Sequence, residues 1–266
     1  PENPTAYVVQ GSVSHDIFAG VDTIVAPHDE RLRSLREEIS AAEKIGDTLL
    51  VSQLRATSDT ITQLRRQQVK DYVAQFPTQH AAVFVAMRQL AHGLEANELA
   101  EVVSLFDTLL VGARYYDDLR GRISILERVA IGQPAIEFSL PDTAGNSVSL
   151  SDFRGRYVYL KFWASWCPFC RVENPKLVEI YDRFKSSEFE MLGVSLDFER
   201  EAWLRGINDD GLLWPQVSEL KGWRSIPAGD YGIRSIPQNL LIDTSGVIIG
   251  RNLSNKELEE KLKLLL

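Results

Sequence analysis

The sequence predicts an α/β domain at the C-terminal end of the chain, with a mixed sheet flanked by helices, preceded by a mostly α-helical domain. Up to residue 131, apolar residues recur at the three- and four-residue spacing of helices. After "GQP" at residues 132–134, short apolar runs alternate with turns, which is typical of strands between helices. We therefore expect a helical domain over residues 1–131 and an α/β domain over residues 132–266.

The helical domain is predicted element by element from its apolar spacing. One helix is expected over residues 31–45, with Gly46 as its stop, and a second from an N-cap at Asp47 to before Pro77. Further helices are expected over residues 80–92, 96–110 and 116–126. "AYVVQGS" at residues 6–12 is the one strand-like run, which we assign to a β domain upstream of this chain. In the second helix the apolar residues Leu50, Leu54, Ile61 and Leu64 lie on one stripe.

The α/β domain follows the order strand, helix, strand, helix, hairpin, helix. "AIEFSL" and "SVSL" flank the turn-rich "PDTAGN" and predict a first hairpin. "YVYLKFW" and "MLGVSL" are strands, and the helix between them should run from the cysteines to about Phe184. A helix is expected over residues 202–207, a hairpin from "NLLID" and "VIIGR", and a closing helix in "NKELEEKLKLLL".

Composition limits the partners. The chain of 30.0 kDa has a formal charge of -8 and no dense Lys/Arg block, which argues against binding to nucleic acid or anionic lipid. We expect protein or small-molecule partners. No apolar run has the roughly 18 residues of a membrane span, and the N-terminus lacks the pattern of a signal peptide. Because the chain starts at Pro1 without Met, we expect a processed or truncated product, with any export signal or membrane anchor outside it.

The chain's two cysteines, Cys167 and Cys170, both lie in "WCPFC". A structural zinc site needs about four Cys or His ligands, but there is no second Cys pair, and every histidine lies in the helical domain. Attached haem would need a His after the second cysteine, where Arg171 stands. We therefore expect no metal and no cofactor. An inert buried pair remains an alternative, although the strand-to-helix junction favours a redox couple.

The start of a helix suits a reactive thiol. At that position the free N–H groups and the helix dipole lower the pKa of Cys167 and favour its nucleophilic thiolate. Pro168 fits the first helical turn, and Cys170, one turn on, can close a disulfide. We expect Cys167 to be the exposed attacking sulfur and Cys170 the buried resolving one. Glu173, a further turn on, is either a desolvated carboxylate that accepts the proton of the resolving thiol or a solvated first-turn residue.

"FWASWCPFC", with "SIPQNLLID" about 70 residues later, resembles the thioredoxin fold. Together with the lead-in "PAIEFSLPDTAGNSVSLSDFRGRYVYLKFWASWC", it resembles the TlpA and ResA-like (AhpC/TSA-related) thiol–disulfide oxidoreductases of the bacterial cell envelope. This resemblance covers residues 132–266 and implies a thioredoxin-like fold with an N-terminal β-hairpin. The helical part is similar, more loosely, to the region that precedes such domains in Bacteroidetes-type envelope lipoproteins.

The resemblance also implies roles for individual residues. Pro237, after Ile236, matches the cis-proline that lies against the disulfide, Pro175 matches a proline that kinks the active-site helix, and Glu173 matches an acidic residue near the site. Lys161 stands where thioredoxin has an aspartate. It could favour a thiolate or pair with Glu173, or it could snorkel outward, which is the interpretation that we prefer. We expect the substrate to contact Trp166, Pro168, Phe169 and Ile236, and Trp163 to pack around the site.

The resulting functional hypothesis is a reductase of protein disulfides in the periplasm, with protein clients, an upstream electron donor and a link to cytochrome c-type biogenesis. A peroxiredoxin-like peroxidase is one alternative, but Phe-Trp-Ala-Ser-Trp before Cys167 departs from the Pro-x-x-x-Thr/Ser-x-x-Cys setting of such enzymes. The other is a client-binding, chaperone-like module that uses its cysteine pair only occasionally.

Overall fold

The computed structural model describes residues 11–266. By contacts the chain divides into two compact units, Pro1–Ile123 and Ser124–Leu266. The predicted domain boundary after residue 131 remains a prediction. The strand expected in "AYVVQGS" begins outside the described residues. No helix within residues 11–266 is both long enough and apolar enough to cross a membrane.

The first helix is much longer than predicted. α1 spans Val13–Lys44, and its N-cap Ser12 accepts a hydrogen bond from the backbone N–H of His15 at 3.3 Å. Its early turns bury Ile17, Val21 and Val25, a four-residue repeat that continues the apolar stripe ahead of residue 31. Pro27 lies inside this helix rather than at its start.

α2 spans Thr48–Val73 and begins at the predicted cap, since Asp47 accepts the N–H of Leu50 at 3.0 Å. The apolar stripe of the second helix is not its covered part: Leu50 and Leu64 are exposed, and Leu54 and Ile61 are half-buried. The buried residues of α2 are instead Val69 and Val73, in its last two turns, next to the connection to the following helix. Helical spacing therefore located the helix but not the part of it that is covered.

The helices that follow are shorter, and the last of them crosses the boundary between the two units. α3 spans His80–Gln89, and α4 spans Ala96–Val103 with a capping box between Glu95 and Glu98. The predicted helix over residues 96–110 ends at Val103 and is followed by a separate 3-10 turn, Thr108–Leu110, whose Asp107 cap accepts the N–H of Leu109. α5 spans Arg114–Arg128.

The second unit contains the predicted mixed sheet. β1 (Ser139–Pro141) and β2 (Ser147–Ser149) form the expected antiparallel hairpin. The larger sheet has the order β5-β4-β3-β6-β7, in which β3 is parallel to β4 and antiparallel to β6. Its strands are β3 (Tyr157–Trp163), β4 (Phe189–Ser195), β5 (Gln216–Ser218), β6 (Gln238–Ile242) and β7 (Ile248–Arg251).

Helices accompany these strands in the predicted order. They are α6 (Pro168–Phe184), α7 (Arg200–Asp209), α8 (Ile226–Asp230) and α9 (Asn255–Leu265). Of these elements, β5 and α8 had not been predicted, because three and five residues are too few to show a periodic pattern. The central strand β3 is buried from Val158 to Trp163. The short turn that leads to the start of α6 therefore begins in the core.

Candidate active site

The two cysteines form a disulfide at the start of α6. The Cα atoms of Cys167 and Cys170 lie 5.3 Å apart. Cys167 is the N-cap of the helix, and its Sγ accepts the backbone N–H of Cys170 at 3.1 Å. Pro168 is the first helical residue, where its missing N–H costs nothing. The outer sulfur therefore lies at the N-terminal end of the helix, where free N–H groups favour a negative charge.

Cys167 is less accessible than predicted. Cys170 is fully buried, as expected, but Cys167 is only 3% exposed, so the expectation of an exposed attacking sulfur was wrong in degree. The reason is the segment before β6: the carbonyl oxygen of Ile236 lies 3.6 Å from Cys167 Sγ, and the Ile236–Pro237 peptide bond is cis, as the resemblance implied. A client must therefore reach Cys167 past the Ile236–Pro237 segment.

The other predicted contact residues lie near Cys167 in the sequence or in the segment that contacts it. Trp166 is 46% exposed and Phe169 is 71% exposed, while Pro168 is exposed and Ile236 and Pro237 are half-buried. The indole N–H of Trp166 donates to the carbonyl of Leu196 at 3.3 Å, which fixes the ring beside the disulfide. By contrast, Trp163 is buried in the core. The structure thus brings the predicted substrate contacts together on the surface around Cys167.

Lys161 does not snorkel outward. The residue is 2% exposed, and its Nζ donates to Asn174 Oδ1 at 2.9 Å and lies 3.4 Å from Glu173 Oε2. The preferred interpretation was wrong because α6 covers this face of β3, which leaves a long side chain no route to solvent. Burial lowers the pKa of Lys161 to about 8, against the opposing effect of Glu173.

Glu173 lies at the edge of this buried group. Its side chain is 40% exposed, so one side of the carboxylate meets solvent while the other meets Lys161. The same carboxylate lies close enough to Tyr159 to add to the effect of burial, which raises the pKa of that phenol. Glu173 therefore connects the buried lysine to the surface, one helical turn beyond Cys170. Pro175 lies further along inside the helix.

Two residues of this network were missed by sequence reasoning. Asn174 is fully buried, and its Nδ2 donates to Asp210 Oδ2 at 2.6 Å, while Arg171 Nε also binds the Asp210 carboxylate at 2.6 Å. A polar Asn174 on the helix face that also carries Cys170 and the buried Leu177 was the available signal. Asp210 had no local signal, because it lies 36 residues further along the chain than its partner Asn174.

A second buried carboxylate holds the turn before the cysteines. Asp197 is 1% exposed and accepts hydrogen bonds from the backbone N–H of Ser165 at 3.0 Å, from Ser165 Oγ at 2.6 Å and from Ser195 Oγ at 2.7 Å. These bonds tie the segment leading to Cys167 to the end of β4. Sequence reasoning missed Asp197 as well. Within residues 11–266, no group of three or more His, Cys, Asp or Glu side chains is arranged to hold a metal ion.

Comparison with known proteins assigns the family. A model described as the AhpC/TSA family matches residues 131–251. The thiol-disulfide oxidoreductase ResA of Bacillus thuringiensis is 30% identical over 152 residues, which are 57% of this chain and 86% of that relative. The chain belongs to the ResA-like thiol–disulfide oxidoreductases. The predicted family and the predicted class of enzyme are therefore confirmed.

A solved structure of such an oxidoreductase shares the fold of the C-terminal half. The C-terminal domain of a putative thiol-disulfide oxidoreductase from Bacteroides thetaiotaomicron is 35% identical, covers 52% of this chain and 96% of its own, and has a TM-score of 0.50. A thiol-disulfide oxidoreductase from Bacteroides fragilis is 41% identical, covers 50% of this chain and all of its own, with a TM-score of 0.49. The thioredoxin-like fold preceded by a helical region, predicted for this ResA-like chain, is confirmed.

The buried Lys161 gives a pH-dependent prediction. Its pKa of about 8 in the folded protein lies below the value of about 10.4 expected when unfolded, so the folded protein loses this proton first. Because the unfolded chain then binds more protons, the stability of the protein should rise as the pH increases from 8 towards 10.4. The Lys161→Met variant lacks this gain. We expect the unfolding free energy of the wild type to increase relative to that of the variant by on the order of 3 kcal/mol across this window.

The measurement is urea unfolding of the oxidised protein at a series of pH values. Lys256→Met is the matched control, because the Lys256 side chain is 85% exposed and its loss should give a difference that does not change with pH. A constant difference between the wild type and Lys161→Met over the same range would show that Lys161 titrates as an ordinary lysine.

Proposed function

We propose that this protein reduces disulfide bonds in client proteins, with Cys167 as nucleophile and Cys170 as resolving residue. The observation that carries the proposal is the Cys167–Cys170 disulfide at the start of α6, where Cys167 is the N-cap of the helix. Cys167 Sγ contacts the Ile236–Pro237 segment, and Cys170 is the more deeply buried of the two residues. Cys167 is 3% exposed and Cys170 is fully buried, and that asymmetry supports the order of attack.

The reaction balances as a two-electron exchange. The thiolate of Cys167 attacks one sulfur of the client disulfide, forms a mixed disulfide and releases the other client sulfur as a thiolate. The thiolate of Cys170 then attacks Cys167 Sγ, re-forms the protein disulfide and releases the second client thiol. The client gains two electrons and two protons, and an upstream dithiol donor returns the protein to its reduced form.

Local charge favours the reducing direction. A disulfide is a strong oxidant when the thiolate of its reduced form is unusually stable. In this site the buried ammonium of Lys161, which would provide such stabilisation, is paired with the carboxylate of Glu173, and Cys170 itself is fully buried. Burial and a neighbouring carboxylate both raise the free energy of a thiolate. The helix N-terminus acts in the opposite sense on Cys167 alone.

The remaining predicted site residues take part either in the reaction or in binding the client. Glu173 exchanges the proton of the resolving thiol, and Pro237 aligns the client backbone with the disulfide. Trp166, Pro168, Phe169 and Ile236 contact the client around Cys167. Each of these side chains lies beside the disulfide or within one or two helical turns of it, and the contact residues are at least partly exposed.

We assign this chemistry to a redox domain of residues 132–266, preceded by a helical domain of residues 1–131. The clients are proteins that carry disulfides or dithiols. The proposed location is the periplasm, with any lipid anchor upstream of residue 1, and a link to cytochrome c-type biogenesis remains a prediction of the resemblance. Fractionation of the source cells, with detection of the native protein, tests the location.

Cysteine variants test the reaction directly. The wild type should catalyse the reduction of insulin disulfides by dithiothreitol, and Cys167→Ser should lose this activity because no accessible sulfur remains. Reduced Cys170→Ser, freed of dithiothreitol before it is mixed with insulin, should instead accumulate a mixed disulfide, since no second thiol of the protein resolves it. Mass spectrometry of the trapped adduct locates the bond. An adduct that forms on Cys170 in Cys167→Ser would reverse the assigned roles, and no turnover by the wild type would favour a client-binding module.

A Glu173→Gln variant tests the proton transfer. If the carboxylate accepts the proton of Cys170, the amide should slow resolution of the mixed disulfide by about 10- to 100-fold near neutral pH. Stopped-flow kinetics with a disulfide-bonded peptide measure this step. Glu179→Gln is the matched control, because Glu179 lies on the same helix with a 63% exposed side chain. Equal rates in both variants would leave Glu173 as a solvated structural residue.

A further inference from the structure

Aromatic side chains lie exposed next to the disulfide. Trp166 is 46% exposed, Trp223 is 45% exposed and Phe198 is 52% exposed. Aromatic residues bury large areas when they are covered, so a cluster of half-exposed rings on a folded domain marks a surface that binds something. These three residues come from three separate segments: the turn before α6, the segment after β4 and the 3-10 turn after β5.

The three rings form a single surface, the aromatic patch. The ring centroids of Trp166 and Trp223 are 6.1 Å apart, with their planes at 58°. Phe198 packs on the backbone of Gly222, the residue before Trp223. A Cβ atom at Gly222 would lie 2.0 Å from Phe198 Cζ, and the φ of Gly222 is +55°. Glycine is therefore required there, both for its backbone angle and for the contact with Phe198.

The segment that carries Trp223 is held in place. Glu219 accepts hydrogen bonds from the backbone N–H of Ile226 at 2.6 Å and from the Lys221 ammonium at 2.9 Å. Its side chain is only 8% exposed. Leu220 has a φ of +53°, a left-handed conformation that is unfavourable for a branched residue. Backbone strain of this kind persists only where the surrounding contacts determine it. The patch is thus organised before any partner binds.

Its position identifies the partner. A client that brings a sulfur to Cys167 must lay its chain across the neighbouring surface, and Trp166 directly precedes Cys167 in the sequence. None of the three rings carries a charge, so a charged client segment would lose hydration there without gaining a partner. Trp166 is one residue from Cys167, and the Trp223 ring lies a further 6.1 Å from the Trp166 ring, a distance that about two residues of an extended client chain span, so the patch begins within a few residues of the reacting sulfur.

We propose that Trp166, Phe198 and Trp223 form a subsite that selects clients with an apolar, above all aromatic, side chain two to four residues from the reacting cysteine. The proposal rests on the function proposed above and adds the class of client sequence to it. The patch would bind this side chain while Cys167 attacks, so that binding energy from a remote residue lowers the barrier to exchange.

The test uses short peptides of Gly and Ser with a single cysteine, held as a mixed disulfide with 5-thio-2-nitrobenzoate. One position, from one to four residues on either side of the cysteine, carries Trp, Leu, Ser or Glu. Stopped-flow absorbance follows thionitrobenzoate release by the reduced protein. On one side of the cysteine, we expect Trp at the second to fourth position to raise kcat/KM over the Ser peptide by about tenfold, with Leu intermediate and Glu lowest.

The ratio of rates for the Trp and Ser peptides is the decisive quantity, because it is independent of each variant's general activity. It should fall towards one in Trp223→Ala and in Phe198→Ala. It should stay unchanged in the control Leu264→Ser, which removes an 86% exposed apolar side chain on α9. This helix contacts the C-terminal end of α6, opposite the end that carries the cysteines, through the Arg183–Glu259 pair. A ratio near one in the wild type, or an unchanged ratio in both patch variants, would overturn the proposal.

Two further measurements separate this proposal from the proposed function. If the reduced protein releases no thionitrobenzoate from any peptide or from the symmetric reagent, the reductase function fails. Fluorescence anisotropy with labelled peptides that carry Ser in place of the cysteine then tests the patch alone, with the same expected preference for Trp. Concentration-dependent dimerisation that Trp223→Ala abolishes, without any peptide preference, would make the patch a contact between two copies of this chain and overturn the proposal.

Discussion

The ammonium group of Lys161 lies inside the α/β domain, and a buried charge is tolerated only when it is paired. Its partners, Glu173 and Asn174, lie in α6 one turn beyond Cys170. Asn174 extends the contact to Asp210 at the end of α7. Through this group of side chains, the central strand determines where the active-site helix starts, and with it the position of the disulfide. The helix that carries the cysteines is therefore held by polar and charged contacts as well as by apolar packing.

This arrangement leaves the two sulfurs in different electrostatic environments. Cys167 Sγ accepts a backbone N–H at the N-terminal end of the helix, where a thiolate is stabilised, whereas Cys170 is fully buried, one helical turn before the Glu173 that pairs with Lys161. Because Glu173 balances the lysine, the network places no free positive charge below the resolving sulfur. A thiolate is therefore stabilised at Cys167 only. This is enough to make Cys167 a nucleophile, but it does not stabilise the reduced form as strongly as in an oxidant. The aromatic patch then adds selectivity that the sulfur chemistry itself lacks.

Local patterns predicted the parts of the site that depend on neighbouring residues. The strand "YVYLKFW", the cysteines at a helix start and the two hairpins each have a short-range signal, and all are present in the structure. The orientation of Lys161 could not be predicted in the same way, because alternation along β3 assigns a face but does not tell whether a helix covers it. Asp210 and Trp223 were missed for a related reason: their partners, Asn174 and Trp166, are distant in sequence, and only the tertiary fold brings them together.

The central claim is that the network around the disulfide makes this protein a reductant. The reduction potential of the Cys167–Cys170 couple, measured by equilibration with glutathione or dithiothreitol buffers at pH 7, tests it most directly. The account predicts a value near that of thioredoxin, about −270 mV. A value near about −120 mV, typical of the strong disulfide oxidants, would mean that the thiolate is far more stable than the paired Lys161 and Glu173 allow, and would contradict the account.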